Sequence, residues 1–426
     1  MRNKKFKHVK TVGDISEYEL TKNGLKVLYK NVPGTGVVTT NITYLVGARD
    51  ENPGETGVAH MLEHMLFKPT QNDFKKKLDA GAMRFEREVG VVLNANTWKD
   101  RTTYYFSYGA EHFRRALEIE ADRMVNIVLT DKEFQPERTN VLSEFDMYNG
   151  DPKFALAVDM VCTAFHSHGY GHETIGFRKD IEAYTIEKLQ NFYHRFYRSN
   201  NATLIIIGDV SLNTALNETE AIFGHLEPEP TVNDRPIIVE PKQEGIRRVE
   251  IVRPGTTNIL AIGVKHKGFP TKEWFETGVI FNLLTDGPNS ILNKALVDTG
   301  LASSVTSLQE PTRDENLGMI NIILTKKMDH KKMEDKFMSI VNGIDESYIN
   351  KQLKTTITKA ISSEIFNRDS SLDIAAELTE YVAAKNWTAY FDTEQILRSI
   401  TAKQIKQRLK EMFEENNMTI GVYKSK

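Results

Sequence analysis

Two histidines one helical turn apart, with a glutamate just before the second, are the residues of this chain best suited to chemistry. They stand in Gly57-Val-Ala-His60-Met-Leu-Glu63-His64-Met-Leu-Phe67. On a helix, His60 and His64 share a face and Glu63 lies on the same flank. Val58, Ala59, Met61, Leu62, Met65 and Leu66 surround them, which predicts a largely buried helix. Polar groups in such a place need partners, because an unpaired buried polar group costs about 1–3 kcal/mol. A metal ion satisfies all three side chains at once: two imidazole nitrogens bind zinc, and the adjacent carboxylate takes the proton of a zinc-bound water. The arrangement is the inverted form of the H-E-x-x-H metalloprotease motif. The plainer alternative is a pair of core histidines with local hydrogen bonds. The shared face and the intervening glutamate favour the metal.

Catalytic zinc takes three protein ligands and leaves one position for water. Candidates for the third stand in Pro136-Glu137-Arg138-Thr-Asn-Val-Leu-Ser-Glu144, where Glu137 and Glu144 fall on one face of a helix. Most glutamates at this spacing form a solvated acidic face, and spacing alone does not choose among the chain's many carboxylates.

The elements that must position these residues follow from periodicity. In the first half, residues 41–46, 103–108 and 204–208 read as strands, and 58–67 and 110–128 as helices. In the second, 259–264 and 319–324 read as strands, and 273–284 and 330–341 as helices. The segment 185–204 also resembles 401–420: Thr185 matches Thr401, Asn200-Asn201 matches Asn416-Asn417, and Thr203 matches Thr419, without a gap. Each copy reads as a Thr-capped amphipathic helix, a turn and a β-branched strand. A repeat offset by half the chain predicts two homologous α+β domains, each a mostly antiparallel sheet packed with helices. Glu227-Pro-Glu-Pro-Thr-Val-Asn-Asp-Arg-Pro236 reads as linker. The expected division is residues 1–226, a linker over 227–245, and residues 246–426.

Composition sets the outer limits. The 426 residues suit two domains. Hydrophobic residues at 40%, charged residues at 27% and a net charge of −3 ask for no nucleic-acid or anionic-membrane partner. The single cysteine, Cys162, excludes a disulfide framework and reads as a small buried residue in the run 158–164. The N-terminus is basic, but no apolar stretch follows it, and no window approaches a membrane span. The expectation is a cytoplasmic protein.

The chain resembles the pitrilysin-like, or M16, zinc metallopeptidases, which include insulin-degrading enzyme, mitochondrial processing peptidase and presequence protease. The likeness covers nearly all of the chain, is strongest over residues 47–209, and points to the two-domain type with the LuxS/MPP-like metallohydrolase fold. Matching pieces stand in the family's order: Gly47-Ala-Arg49-Asp-Glu51, then Gly57 to His64, then Leu93-Asn94-Ala95-Asn-Thr97 with Asp100 and Thr102. Glu137-Arg with Val-Leu-Ser-Glu144, His168-Gly-Tyr-Gly with Ile175-Gly176, and Asn201-Ala-Thr-Leu with Gly208-Asp209 complete the set.

The resemblance implies roles. His60, His64 and Glu144 would hold one zinc ion per chain, and Glu63 would be the general base that later protonates the leaving amine. Glu137 would orient a ligand and support activity. Asn94 and Ala95 would lie on an edge strand that pairs with an extended peptide substrate. The implied activity is zinc-dependent endopeptidase cleavage of extended peptides or unfolded segments, within a chamber that a dimer would close.

One departure stands out. Where the family's second domain carries an Arg and a Tyr that help hold substrate and oxyanion, aligning Gly300-Leu-Ala places Leu296 and Ser303. Two explanations compete: a companion family member in a heterodimer would supply the missing pair, which is the favoured one, or the chain works with different groups or poorly. The rival reading is a non-catalytic assembly or peptide-binding subunit. His166, His168 and His172 read as a structural turn rather than a second metal site, and Asp286-Gly-Pro-Asn-Ser290 as a helix start rather than a phosphate loop.

Overall fold

A computed structural model describes residues 5–232, 235, 238–326 and 328–426. The first four residues of the basic N-terminus, and residues 233, 234, 236 and 237 of the expected linker, lie outside the described residues.

The first unit is built on a mixed seven-stranded sheet. Its strands are β1 (Phe6–Val12), β2 (Ile15–Leu20), β3 (Lys26–Asn31), β4 (Val37–Tyr44), β5 (Val92–Thr97), β6 (Thr102–Gly109) and β7 (Ala202–Gly208), in the order β1-β2-β3-β7-β4-β6-β5. Burial follows position. Every residue of β7, Ala-Thr-Leu-Ile-Ile-Ile-Gly, is buried, as a central strand covered on both faces requires. β1 is mostly exposed at one margin, and β5 is the half-exposed strand at the other. β3 and β7 run parallel; the other neighbours are antiparallel.

The second unit has five strands: β8 (Arg247–Arg253), β9 (Asn258–His266), β10 (Ala302–Leu308), β11 (Asn316–Leu324) and β12 (Met418–Ser425). Their order is β8-β12-β9-β11-β10, with β8 and β12 parallel. Strand for strand this repeats β3-β7-β4-β6-β5, so the duplication anticipated from the Thr-Asn-Asn-Thr match is present in the topology. The matched helices begin alike too. Thr185 Oγ1 accepts from the Lys188 N–H at the start of Ile186–Phe196, and Thr401 Oγ1 from the Gln404 N–H at the start of Ala402–Met412.

The units do not follow the single break expected over 227–245. The described residues of Met1–Phe145, Glu173–Ile237 and Asn367–Phe391 make one, and those of Asp146–His172, Ile238–Phe366 and Asp392–Lys426 the other. Each sheet takes a covering helix from the opposite half of the sequence. Pro152–Ala164 lays Ala155, Leu156, Met160, Val161 and Ala164 on Ile251, Ile259, Ala261, Leu317, Met319 and Tyr423 of the second sheet. Gly421 makes this approach possible, since a Cβ there would sit 2.6 Å from the Met160 sulfur. In the first unit, Ser371–Ala383 buries Ile374, Ala375, Leu378 and Val382 against β4 and β7. Asn41 Nδ2 donates to Thr379 Oγ1 at 3.1 Å across that interface. Burying a Leu, Ile or Met side chain contributes about 1.5–3 kcal/mol, so each covering helix is a large part of its unit's core. A linker signal cannot reveal an exchange of this kind.

A smaller correction concerns Cys162, which is exposed rather than buried. It lies on the outer side of Pro152–Ala164, whose inner side is the set of residues above. Among the described residues, no helix is long and apolar enough to cross a membrane.

Candidate active site

The site is assembled on a short helix, Val58–Met65. Its start is unusual: Gly57 holds φ 87°, and a Cβ there would meet the Ile175 carbonyl at 2.3 Å. No N-cap side chain is available. Glu51 replaces it, its carboxylate accepting from the Gly57 N–H at 2.7 Å and the Ala59 N–H at 2.9 Å. Val58, Ala59, Met61, Leu62 and Met65 anchor the helix in the core. His60, Glu63 and His64 occupy the remaining flank, where they are only partly exposed.

Glu144 reaches the histidines from the long helix Asp131–Gly150. Phe134, Glu137 and Val141 form that helix's buried stripe, and Glu144 extends it by one more step. The carboxylate Oε2 of Glu144 lies 3.8 Å from His60 Nε2 and 3.6 Å from His64 Nε2. The two imidazoles meet edge to face with centroids 4.8 Å apart. Tetrahedral zinc with ligand bonds near 2.1 Å holds its ligand atoms about 3.4 Å apart. The two nitrogens and the oxygen therefore need only small closure to share one ion. Among the described residues this is the one grouping of three such side chains placed to do so. The histidine–carboxylate pairing suits zinc chemically, and the residues fit the ion.

Electrostatics agree with that use. Burial, and then His64, hold the His60 imidazole down to about 4 against the pull of Glu144, so at neutral pH it is an uncharged lone-pair donor. Its buried Nδ1 has no hydrogen-bond partner. Burial also pushes His64 down, but Glu144, Glu63 and Glu137 outweigh it and leave the imidazole above its usual range. His64 Nδ1 lies 3.3 Å from Glu137 Oε2, the geometry that turns Nε2 towards Glu144. Burial would raise the Glu137 carboxyl, but Lys68, Asn140 and His64 reverse this and keep it below its usual range. Lys68 Nζ sits 2.5 Å from Glu137 Oε1. Glu63 runs the other way: burial raises its carboxyl despite a hydrogen bond from Thr97. The Thr97 hydroxyl donates to Glu63 Oε2 at 2.7 Å.

Residues 26–177 match the family described as Insulinase (Peptidase family M16), and residues 183–356 match its partner domain, described as Peptidase M16 inactive domain. The chain belongs to the M16 peptidase family. The zinc protease PqqE of Helicobacter pylori is 28% identical over 407 residues, spanning 93% of this chain and 90% of its own. A probable mitochondrial-processing peptidase subunit beta of Schizosaccharomyces pombe is 30% identical over 213 residues, half of this chain. The crystal structure of a protease from Helicobacter pylori superimposes with a TM-score of 0.89 at 26% identity, covering 97% of this chain and all of that one.

The remaining sequence-selected residues fall as follows. Asn94 and Ala95 lie on β5, the strand at the margin of the first sheet, and Asn94 faces solvent. Leu296 is fully buried, and Ser303 is exposed on β10. The histidine cluster is a turn. Glu240 accepts the backbone N–H groups of His166, Ser167 and His168 at 2.8–3.1 Å, which fixes the loop. Asp286–Ser290 ends one helix and opens the next turn, where Asn293 Nδ2 donates to Ser290 Oγ at 2.7 Å. Two residues received no role from sequence: Lys68 behind Glu137, and Thr97 beside Glu63. Lys68 stands four residues after His64, a spacing that could have suggested it.

Proposed function

We propose that this chain is a zinc-dependent endopeptidase acting on extended peptides or unfolded segments. The observation that carries the reading is the convergence of His60, His64 and Glu144 on one point, with the Glu63 carboxylate alongside. Relatives named as zinc proteases support it. One zinc ion held there would acidify a coordinated water and polarise the scissile carbonyl. Glu63 takes the water's proton and returns it to the leaving amine, which its raised carboxyl suits. Glu137, kept ionised by Lys68, accepts from His64 Nδ1 and fixes that ring's orientation. The free margin of β5 offers backbone groups to an extended chain, with Asn94 and Ala95 at the centre of the strand. Recognition through backbone pairing tolerates many side-chain sequences.

Two such chains would enclose the substrate as a dimer. Leu296 and Ser303 offer neither a cation nor a phenol, so the complementary dimer is a heterodimer whose other member carries the Arg and Tyr. The same two positions favour a second reading, a non-catalytic assembly subunit, but the intact set of four residues around His60 argues against it.

The test is cleavage of a quenched-fluorescent library of extended peptides by the purified chain with zinc, against Glu63→Gln. We expect one zinc per chain in both proteins and cleavage only in the parent; a parent that binds zinc but cleaves nothing alone would favour the companion-dependent or the non-catalytic reading. Absence of bound zinc, or equal cleavage by the variant, would overturn the proposal.

A further inference from the structure

Glu63 makes one side-chain hydrogen bond among the described residues, and it comes from Thr97. A general base must present one carboxylate oxygen to the water while several torsions remain free. A free glutamate side chain carries up to about 1.5–2 kcal/mol of rotamer entropy. The Thr97 hydroxyl engages Oε2 and leaves Oε1 for proton transfer. Threonine suits the task because its β-branched side chain is stiff about χ1.

The hydroxyl is also placed by backbone that has little freedom to move. Thr97 is the last residue of β5 and pairs with Thr102 across β6. The turn beyond it is fastened to the segment entering the site helix. The Ala48 N–H donates to the Trp98 carbonyl and the Arg49 N–H to the Lys99 carbonyl, each at 3.0 Å. Arg49 Nη1 pairs with Asp100 at 2.8 Å, and Thr102 Oγ1 donates to the Val46 carbonyl at 3.0 Å. These strands approach so closely that a Cβ on Gly47 would lie 2.2 Å from the Trp98 carbonyl oxygen. On the other side of Thr97, the buried Arg101 guanidinium donates to the Asn96 side chain and pairs with Glu380.

Resting on the peptidase reading above, we infer that Thr97 is the positioning residue for Glu63, and that it ties the base to the strand expected to bind the peptide backbone. Asn94, Ala95 and Thr97 lie within one six-residue strand. A peptide added to the free margin of β5 would stiffen the same strand whose end holds the base. Strand addition would then secure Glu63 at the moment the scissile bond arrives, and lost positioning would appear in turnover rather than in binding.

The experiment compares Thr97→Val, which keeps the shape and removes the hydroxyl, with Thr97→Ser, which keeps the hydroxyl. Steady-state cleavage of one quenched-fluorescent peptide, zinc content and a crystal structure of each zinc-loaded protein are measured. For Thr97→Val, kcat should fall roughly 10- to 100-fold with KM within about threefold, the scale of a misplaced catalytic group. Zinc should stay at one per chain, and Thr97→Ser should recover most of kcat. Parental kcat in Thr97→Val, an equal loss in Thr97→Ser, or zinc loss in step with activity would overturn the inference. Should the zinc-loaded parent cleave nothing alone, a missing companion or the non-catalytic reading accounts for that separately. The structures then decide: Glu63 turned away in Thr97→Val supports the positioning role, and Glu63 unmoved removes it.

Discussion

The two units share a strand order and differ in the helix that follows their second common strand. After β4 the chain makes the eight-residue helix Val58–Met65, which gives one flank to His60, Glu63 and His64. After β9 it makes the fourteen-residue helix Lys272–Thr285, which buries Phe275, Val279, Ile280, Phe281, Leu283 and Leu284. The long helices differ in the same sense. Asp131–Gly150 carries Glu137 and Glu144 along its inner stripe, while Glu346–Phe366 buries Ile349, Leu353 and Ile361. One frame therefore serves two purposes. In the second unit these helices bury apolar surface; in the first, part of the same face is given to polar groups held by one another and by surrounding hydrogen bonds. The polar cluster survives because its frame is fixed elsewhere, by Glu51 at the helix start and by the Gly47–Trp98 contact.

The most severe way to break the comparison is to separate the halves. Residues 1–226 expressed alone lack Ser371–Ala383, and residues 246–426 lack Pro152–Ala164, so each sheet loses a covering helix. Neither half should fold alone, and co-expression should restore a complex. Far-UV and near-UV circular dichroism of each half checks this; a cooperative thermal transition in either one would show that the exchange is dispensable.

A smaller perturbation contrasts two glycines. Gly47→Ala drives a methyl against the Trp98 and Lys99 carbonyls, backbone atoms that cannot turn aside. Gly421→Ala meets the flexible Met160 thioether. Overpacking costs typically 1–3 kcal/mol. We expect about 3 kcal/mol for Gly47→Ala, lost exchange protection on β5 and β6, and about 1 kcal/mol for Gly421→Ala. Hydrogen exchange by mass spectrometry measures both; equal costs would mean that the hairpin end yields as readily as a methionine.

Removing the carboxylate behind His64 tests the site's second layer. Glu137→Gln should weaken zinc binding or lower kcat/KM by roughly 10- to 100-fold. Lys68→Met should act in the same direction and less strongly, since the Glu137 carboxylate would remain. Competition with a chromogenic chelator gives the affinities. Unchanged values in Glu137→Gln would leave His64 oriented by Glu144 alone.

How far this was legible in sequence depends on the range of each interaction. The His60–Glu63–His64 spacing is local and encodes its own geometry, and the Thr-capped helices at 186–196 and 402–412 are local as well. Glu144 could not be chosen by spacing; its selection needed the family likeness, because the contact spans eighty residues and two helices. The exchange of Pro152–Ala164 and Ser371–Ala383 left no mark, since an apolar helical face does not state which sheet it will cover. Cys162 departs from its reading for a related reason: it stands in an apolar run, but on the side of the helix away from the second sheet. Thr97 was visible as part of a motif, but its task depends on a hairpin end held against Gly47.

The smallest effect expected is a difference in pH response. In the first unit, burial raises the carboxyls of Asp50, Glu51 and Glu120 despite their partners, so a falling pH protonates them in the folded state first and relieves that unit. Each unit also buries a histidine whose imidazole is held down to about 4: His60 in the first, at the metal site, and His266 in the second, away from it. Burial holds the His266 imidazole there, against the Lys267 carbonyl and Glu315. Its Nδ1 lies 2.9 Å from the Lys267 carbonyl oxygen, while Nε2 is buried without a partner, so a second proton would find no acceptor. A histidine whose folded value is depressed contributes stability that is present above its unfolded value near 6.5 and is lost as the pH falls towards 4. The loss should reach about 1 kcal/mol by pH 5.5 and be concentrated in β9 and β11. His266→Gln should remove this dependence from the second sheet and leave the first sheet's response as it was. Exchange protection of β9 compared with β4 between pH 7 and 5.5, corrected for intrinsic rates, makes the measurement. A parallel decline in both strands, unchanged in the variant, would mean that the buried histidine does not set the acid limit of its unit.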